Sequence, residues 1–310
     1  MQLPDSWLLL RTPPAAGAWN MACDVSLMDV ARAQGVGILR VYEWSEPTVS
    51  FGRHERAKGV YSADALTELG LRAVRRPTGG RALLHSREVT YSVTIPMPNH
   101  VRWATAYDAV NARLLRAMQI LGVPARIVGA LQTGDLSTND GSTNDGSTND
   151  GSTNDGSTND VGARAGGAST VGARIADAVG ATPHDEAIVC FSGIAMGEIA
   201  VGDQKLIASS VWRERGAYLQ HGSILIHDDQ HRLTPVLGAN AIRPEPAAVL
   251  SDWLNLGDGT ENAAVVVERA LHEAFRDCGN CVPWSIPRNI LDDVEVVRKR
   301  MAEPDWLWRR

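Results

Sequence analysis

The chain has 310 residues, 44% hydrophobic and 21% charged, which supplies a sizeable core and, at roughly 150 residues per domain, sets a prior of one or two domains. With 30 Lys and Arg against 36 Asp and Glu the net charge is −6, which argues against a general nucleic-acid binder. No apolar run approaches the roughly 18 residues of a membrane span, the Trp7–Leu10 run has no basic lead-in for a secretory signal, and four cysteines do not make a disulfide scaffold, so a reduced, cytoplasmic protein is expected.

In chain order, Asn20–Gln34 carries Met21, Val25 and Met28 near helical spacing. Ile38–Trp44 and Thr48–Gly52 read as strands. Ser62–Leu69 is a short helix, with Ser62 as N-cap and Gly70 as its stop. Val89–Ile95 is β-rich. Tyr107–Leu121 is amphipathic, with Tyr107, Val110, Leu114, Leu115, Met118 and Leu121 on one face and Gly122 ending it. Ala187–Phe191 reads as a short apolar strand. Glu198–Val201 and Gln204–Ser209 form a hairpin in which Gly202-Asp203 suits a type II′ turn. Tyr218–Ile226 is a further strand, and Asn262–Phe275 and Asn289–Met301 read as helices. This is an α+β pattern, not a strict βαβα alternation.

One segment stands apart. From Ser137 to Asp160 the sequence repeats STNDG with no apolar and no basic residue, so it buries nothing to offset the entropy of ordering. Its five Asp account for most of the net charge. Residues 129–183 therefore read as one low-complexity loop inserted in a single domain spanning 1–310. The period of five lacks the apolar position of known calcium repeats.

Phosphate-loop, dinucleotide, nucleophile-elbow and zinc-protease signatures are absent. The densest site-like run is Arg75-Arg76-Pro77-Thr78-Gly79-Gly80-Arg81-Ala82-Leu83-Leu84-His85. Its glycines admit close backbone approach and its arginines suit an anion, but the same residues equally make a tight turn with a solvated basic face. Lys205 opens an apolar strand just after a turn, where a solvated hairpin lysine is the plain reading. His221-Gly222 interrupts another apolar strand, hinting at something packed against the backbone. Cys190 ends a short strand and reads first as a buried, inert thiol; Cys23 reads as core, and Cys278-Gly-Asn-Cys281, a lone pair, as structural. His227–His231 fits a turn better than a metal site.

In this order the runs resemble the biotin/lipoate ligase and transferase superfamily, and most nearly its single-domain octanoyl transferases. The segment RRPTGGRALLHSREVTYSV (Arg75–Val93) is similar to the transferase form of the family motif. Asn20-Met21-Ala22-Cys23-Asp24 resembles the first-helix motif, Gln204–Ser210 the lysine strand and His221–Leu225 the strand after it. The resemblance covers Asn20–Ile226 and, less distinctly, Trp253–Trp308.

It implies one α+β catalytic domain with a mixed sheet packed by helices. It implies Cys190, in a Cys190-Phe191 pair before Lys205, as the thioester-forming nucleophile, and Lys205 as its activator. A nearby ammonium favours the thiolate. Arg75, Arg76, Thr78, Gly79, Gly80, Arg81, His85, Ala208, Ser209, His221 and Gly222 would line the substrate pocket, with no metal. The donor implied is octanoyl-acyl carrier protein and the acceptor a lipoyl domain, of a glycine cleavage H protein or a dehydrogenase E2 subunit. No cofactor, nucleic acid or membrane is implied, and a monomer is expected. Arg72, Arg75, Arg76 and Arg81 would supply the docking field for acidic carriers.

Four features depart from the family pattern: Ala208-Ser209-Ser210 where Gly-Ser-Ala is usual, Ser86 after His85, Gly197-Glu198 without the usual tyrosine, and the long repeat insertion just before Cys190. The alternatives are lipoyl-domain-to-lipoyl-domain transfer, an ATP-dependent lipoate or biotin ligase, and a non-catalytic protein that holds an acyl group or lipoyl domain.

Overall fold

A computed structural model describes residues 2–129, 189–191, 193–237, 244–254 and 260–309. Except for Gly129, the low-complexity segment expected over 129–183 lies outside them.

Strand β1 (Ser6–Arg11) leads into helix α1 (Gly17–Gln34) and strand β2 (Gly37–Tyr42). Strand β3 (Thr48–Phe51), helix α2 (Ala63–Glu68), β4 (Arg72–Arg75) and β5 (Leu83–His85) follow. Then come β6 (Glu88–Pro96), α3 (Trp103–Ile120), β7 (Arg126–Ile127), β8 (Ile199–Val201), β9 (Gln204–Glu214) and β10 (Ala217–Leu225). Helix α4 (Thr260–Arg276), β11 (Asn280–Pro283), α5 (Arg288–Met301) and α6 (Pro304–Leu307) close the described chain. The eight-stranded sheet has the order β11-β1-β2-β6-β10-β9-β8-β7, and a three-stranded sheet has the order β4-β3-β5. Strands β11, β1 and β2 run parallel, whereas β2, β6, β10 and β9 pair antiparallel. The expected α+β class with a mixed sheet holds.

Local chemistry set several boundaries as read. The Ser62 side chain accepts from the backbone N–H of Ala65, capping α2, and Gly70 (φ 64) and Gly122 (φ 74) sit in left-handed conformations just past α2 and α3. Between β8 and β9, Gly202 takes a positive φ of 54 and Asp203 does not, which is the type II′ sense. Strand β9 runs five residues beyond the expected Ser209, because β10 supplies ladder partners as far as Glu214. Strands β1, β4, β5, β7 and β11 were not expected. Each is short, and its pairing is supplied by chain distant in sequence: Trp7 pairs with Cys281, and Thr48 with both Arg72 and His85.

The alternation of the central strands separates the two faces of the large sheet. Leu39, Val41, Val89, Tyr91, Val93 and Ile95 face α3 and α4, where they join Val110, Leu114, Val267 and Leu271 in the main core. The alternate residues Arg40, Thr90, Ser92, His221 and Ser223 are polar. They are nonetheless buried, because α1 and the three-stranded sheet cover that side. An apolar/polar alternation ordinarily marks one wet face. Here the polar face is interior, and it carries the site.

Candidate active site

The Arg75–His85 run leaves β4, turns at Pro77–Gly80 and returns along β5. Arg76 holds the turn. Its buried guanidinium donates to the carbonyls of Ser50, Gly79 and Arg81, and to Ser50 Oγ. Burial lowers its pKa, and the nearby Cys190, Glu55 and Tyr61 oppose that. Glu55 braces the other side, accepting from the backbone N–H groups of Gly52 and Ala82 and from the Tyr61 hydroxyl. Gly52 lets the two loops meet: a Cβ there would lie 1.9 Å from the Gly80 carbonyl oxygen. Gly52→Ala is therefore expected to cost about 1–3 kcal/mol and to displace the Gly79–Gly80 turn. Thermal denaturation checks this, and an unchanged melting temperature would show that the turn gives way freely.

Cys190 is delivered to this turn by backbone. Val189 forms a single parallel bridge with Ala82, and the Cys190 N–H donates to the Ala82 carbonyl at 2.9 Å. The strand expected over Ala187–Phe191 thus reduces to that bridge within the described residues, with Cys190 and Phe191 in a turn. Lys205, at the start of β9 and nearly buried, donates from Nζ to the Cys190 carbonyl at 2.7 Å and pairs with Glu198 at 2.9 Å. Glu198 also accepts from the Ala195 N–H. Leu83, Phe191, Ala208, Leu225, Ala247 and Val249 form an apolar cluster against Cys190. Burial pushes the Cys190 thiol up from its ordinary value; Lys205 and Arg76 pull it down, and Glu198 and Glu55 push it up.

A second constellation lies on the polar face of the sheet. Arg40 pairs with Asp24 at 2.7 Å, and both are fully buried. Asp24 also accepts from Tyr42 and Ser92, and lies 2.9 Å from His221 Nδ1. Burial lowers the His221 pKa against the opposing pull of Asp24, so the ring is neutral at pH 7. A carboxylate only accepts, which puts the proton on Nδ1 and leaves Nε2 to accept from Thr78 at 2.7 Å. Thr78 in turn accepts from Ser210, also at 2.7 Å. The relay runs from a buried ion pair in α1 and β2 to a hydroxyl of β9. Beside it His85, stacked on Trp44 at 3.9 Å, bridges Glu88 and Ser50.

The fold thus gathers Cys190, Lys205, Arg76, Thr78, Gly79, Gly80, His85, Ala208 and His221 around one turn and one stretch of the sheet. Arg75 is directed elsewhere: its guanidinium donates to the carbonyls of Gly52, Glu55, Trp306 and Leu307, tying the turn to α6. Ser209 points to the opposite face of β9, where it pairs with Tyr91, and Gly222, its neighbour on β10, is turned the same way: a Cβ there would lie 2.8 Å from the Tyr91 ring. Arg81 is exposed, and its carbonyl accepts from Arg76. Of the docking field expected of Arg72, Arg75, Arg76 and Arg81, Arg75 and Arg76 are buried on carbonyls, whereas Arg72, paired with Glu46, and Arg81 are exposed.

Sequence reasoning gave no role to Asp24, Arg40, Glu55, Glu88 or Glu198. Charged residues in otherwise buried elements, such as Arg40 within Gly37–Tyr42, were the available signal. Cys23 is core as expected, its thiol pushed up to about 11 by burial. Cys278 and Cys281 are free and half-buried. Among the described residues no three His, Cys, Asp or Glu side chains gather as a metal requires, and no helix is long and apolar enough to cross a membrane.

Residues 16–272 match the family model described as the lipoyl protein ligase A/B catalytic domain. A protein of Kyrpidia tusciae named octanoyltransferase LipM is 29% identical over 99% of this chain and 100% of its own length. One of the same name from Symbiobacterium thermophilum is 32% identical over 73% of this chain and 68% of its own. Among solved structures, a bipartite lipoate protein ligase from Thermoplasma acidophilum superimposes with a TM-score of 0.65 at 16% identity, covering 99% of this chain and 97% of that one. LipL1 of P. falciparum, solved with lipoate, gives 0.61 at 14%, covering 98% and 74%. At these identities the structures speak for the fold alone. The chain belongs to the lipoyl protein ligase A/B catalytic-domain family, and over its whole length it is similar to proteins of that family named as octanoyltransferases.

Proposed function

We propose that this enzyme, an octanoyltransferase of protein lipoylation, takes an octanoyl group from acyl carrier protein onto Cys190 and passes it to the lysine of a lipoyl domain. The observation that carries the reading is the placement of Cys190 between an apolar cluster and the Lys205 ammonium, in a chain whose full-length relatives are named octanoyltransferases.

In the first step the Cys190 thiolate attacks the donor thioester. The carrier thiolate leaves and takes up the proton that Cys190 gave, so the exchange is proton-neutral. In the second step the neutral amine of the acceptor lysine attacks the Cys190 thioester, forming the amide and returning the thiol. Neither step consumes ATP. Lys205 favours the thiolate, and Glu198 holds Lys205 against the Cys190 carbonyl. Arg76, Thr78, Gly79, Gly80, His85, Ala208 and His221 shape the pocket, and the Asp24–His221–Thr78 relay fixes its polar wall. The burial of Arg75 and Arg76 on carbonyls speaks against their clamping an adenylate.

The test is intact-protein mass spectrometry after mixing enzyme with octanoyl-acyl carrier protein in the absence of ATP. The expected result is a gain of one octanoyl group, removed by hydroxylamine. An adduct only from an octanoylated lipoyl domain would assign transfer between lipoyl domains. Product only with ATP and free octanoate would assign a ligase, and tight binding without turnover a non-catalytic protein.

The thiol also sets a pH dependence. Burial raises the Cys190 pKa above its ordinary value, so the thiolate fraction, and with it single-turnover acylation, rises as pH increases from neutral into the alkaline range. Lys205→Met removes a charge that lowers this pKa and is expected to move the profile to higher pH; Glu198→Gln removes one that raises it and is expected to move it lower. Profiles of acylation rate against pH check both directions, and coincident profiles would deny the electrostatic role.

A further inference from the structure

A cleft of about 300 Å³ opens at the edge of the polar face of the sheet, away from Cys190. It is walled by Met28 and Arg32 of α1, Arg53 after β3, Trp212 on β9, Arg300 at the end of α5 and Trp306 on α6. Its charges are unequally matched. Arg32 pairs with Asp29, and Arg215 lies near Glu214. Among the described residues neither Arg53 nor Arg300 pairs with a carboxylate. Arg53 lies over the Trp212 ring at 4.8 Å and the Trp306 ring at 5.9 Å, and donates to the Pro77 carbonyl at 3.4 Å. That carbonyl belongs to the turn that carries Thr78, Gly79 and Gly80. An aromatic-backed guanidinium with donors to spare, beside a second unpaired guanidinium, suits a phosphate or phosphodiester.

One strand leads from the cleft towards Cys190. Ala208, Ser210 and Trp212 alternate along the same face of β9. Ala208 packs in the cluster against Cys190, Ser210 bonds Thr78, and Trp212 lines the cleft. Four residues of strand span about 13 Å. In a phosphopantetheine arm roughly 13 bonds separate the thioester sulfur from the phosphorus, which by the reach of an extended chain is about 15 Å. The arm's two amides would pass Ser210 and the open backbone of Gly79, which has nothing within 4 Å of a built Cβ.

We propose that Arg53 and Arg300 bind the phosphodiester of the donor's phosphopantetheine arm, and that the arm runs along β9 to present its thioester to Cys190. This rests on the reading of the donor as an acyl carrier protein. It also replaces the docking field that Arg75 and Arg76, buried on carbonyls, do not supply.

The test compares three donors with wild-type enzyme, Arg300→Ala and Arg53→Gln: octanoyl-acyl carrier protein, octanoyl-4′-phosphopantetheine and octanoyl-pantetheine. Arg300→Ala is expected to raise KM roughly 10-fold or more for the two phosphate-bearing donors and to leave octanoyl-pantetheine unchanged; Arg53→Gln, which also frees the Pro77 carbonyl, is expected to raise KM more for the phosphate-bearing donors than for octanoyl-pantetheine. An equal loss for all three donors would overturn the proposal. A loss confined to the carrier protein would also overturn it, showing that the cleft reads the carrier's surface. Calorimetric binding of 4′-phosphopantetheine against pantetheine needs no transfer. If wild type forms no acyl adduct from any thioester, the donor reading fails, while binding of the phosphorylated arm that is lost in Arg300→Ala would still establish the anion site; equal binding of both arms would remove it.

Discussion

Cys190→Ser leaves no thioester on the enzyme and is expected to lower octanoyl transfer by at least 10³-fold. A serine hydroxyl is a far weaker nucleophile than a thiolate, and Lys205 lowers the pKa of a thiol, which the hydroxyl does not offer. Because the side chains differ by one atom, the Ala82 bridge and the Lys205 contact, both made through Cys190 backbone, persist. Melting temperature should therefore stay within a few degrees of wild type while the hydroxylamine-labile mass disappears. Retention of more than a tenth of wild-type transfer by Cys190→Ser or Cys190→Ala would sink the covalent mechanism. A loss of activity together with a large drop in melting temperature would point to folding instead.

Breaking the Arg40–Asp24 pair gives the largest expected effect on stability. Both side chains are fully buried, and Arg40 also bonds Asn20 and Thr12 and lies over the Tyr42 ring. Arg40→Met leaves a carboxylate buried without its cation, at a cost of about 3–5 kcal/mol. For a chain of 310 residues, at about 2.1 cal/mol/K of unfolding entropy per residue, that corresponds to a fall in melting temperature of roughly 5–8 °C. Removing both charges in Asp24→Leu with Arg40→Met should cost less than the sum of the single changes, because no orphan charge remains. Additive losses would mean that the two residues act separately.

The same pair makes stability depend on pH. Burial by itself pushes the Asp24 carboxyl up, but Arg40, His221 and Ser92 together outweigh it and bring the pKa below its ordinary value. The folded state thus binds this proton more weakly than the unfolded chain. The stabilisation is full above the unfolded pKa of about 4 and is lost as pH falls through the folded value. Asp24→Asn should flatten the acid limb of a stability–pH curve, read by urea midpoints between neutrality and acid.

The chain by itself determined much of the local structure and the chemistry at hand. Ser62 capping α2, the stops at Gly70 and Gly122, the Gly202 turn and the amphipathic face of α3 are short-range features, and short-range energetics decides them. The Arg75–Val93 run, with Cys190-Phe191 and Lys205, pointed to the family because its residue types recur in order, which needs no coordinates. Three things were left to the tertiary structure. Strands β1, β4, β5 and β11 exist because distant segments supply their ladder bonds. The roles of Arg75 and Arg76 were decided by the Gly52–Glu55 carbonyls, Ser50 and α6 closing around them, so side chains that suit an anion became pegs for a loop. Above all, the alternation of β2, β6 and β10 states which residues share a face but not what covers it. Packing of α1 over Arg40, Ser92 and His221 took the polar face out of water, and there a charge without a partner is costly. That burial is why those polar residues had to find one another in a single network.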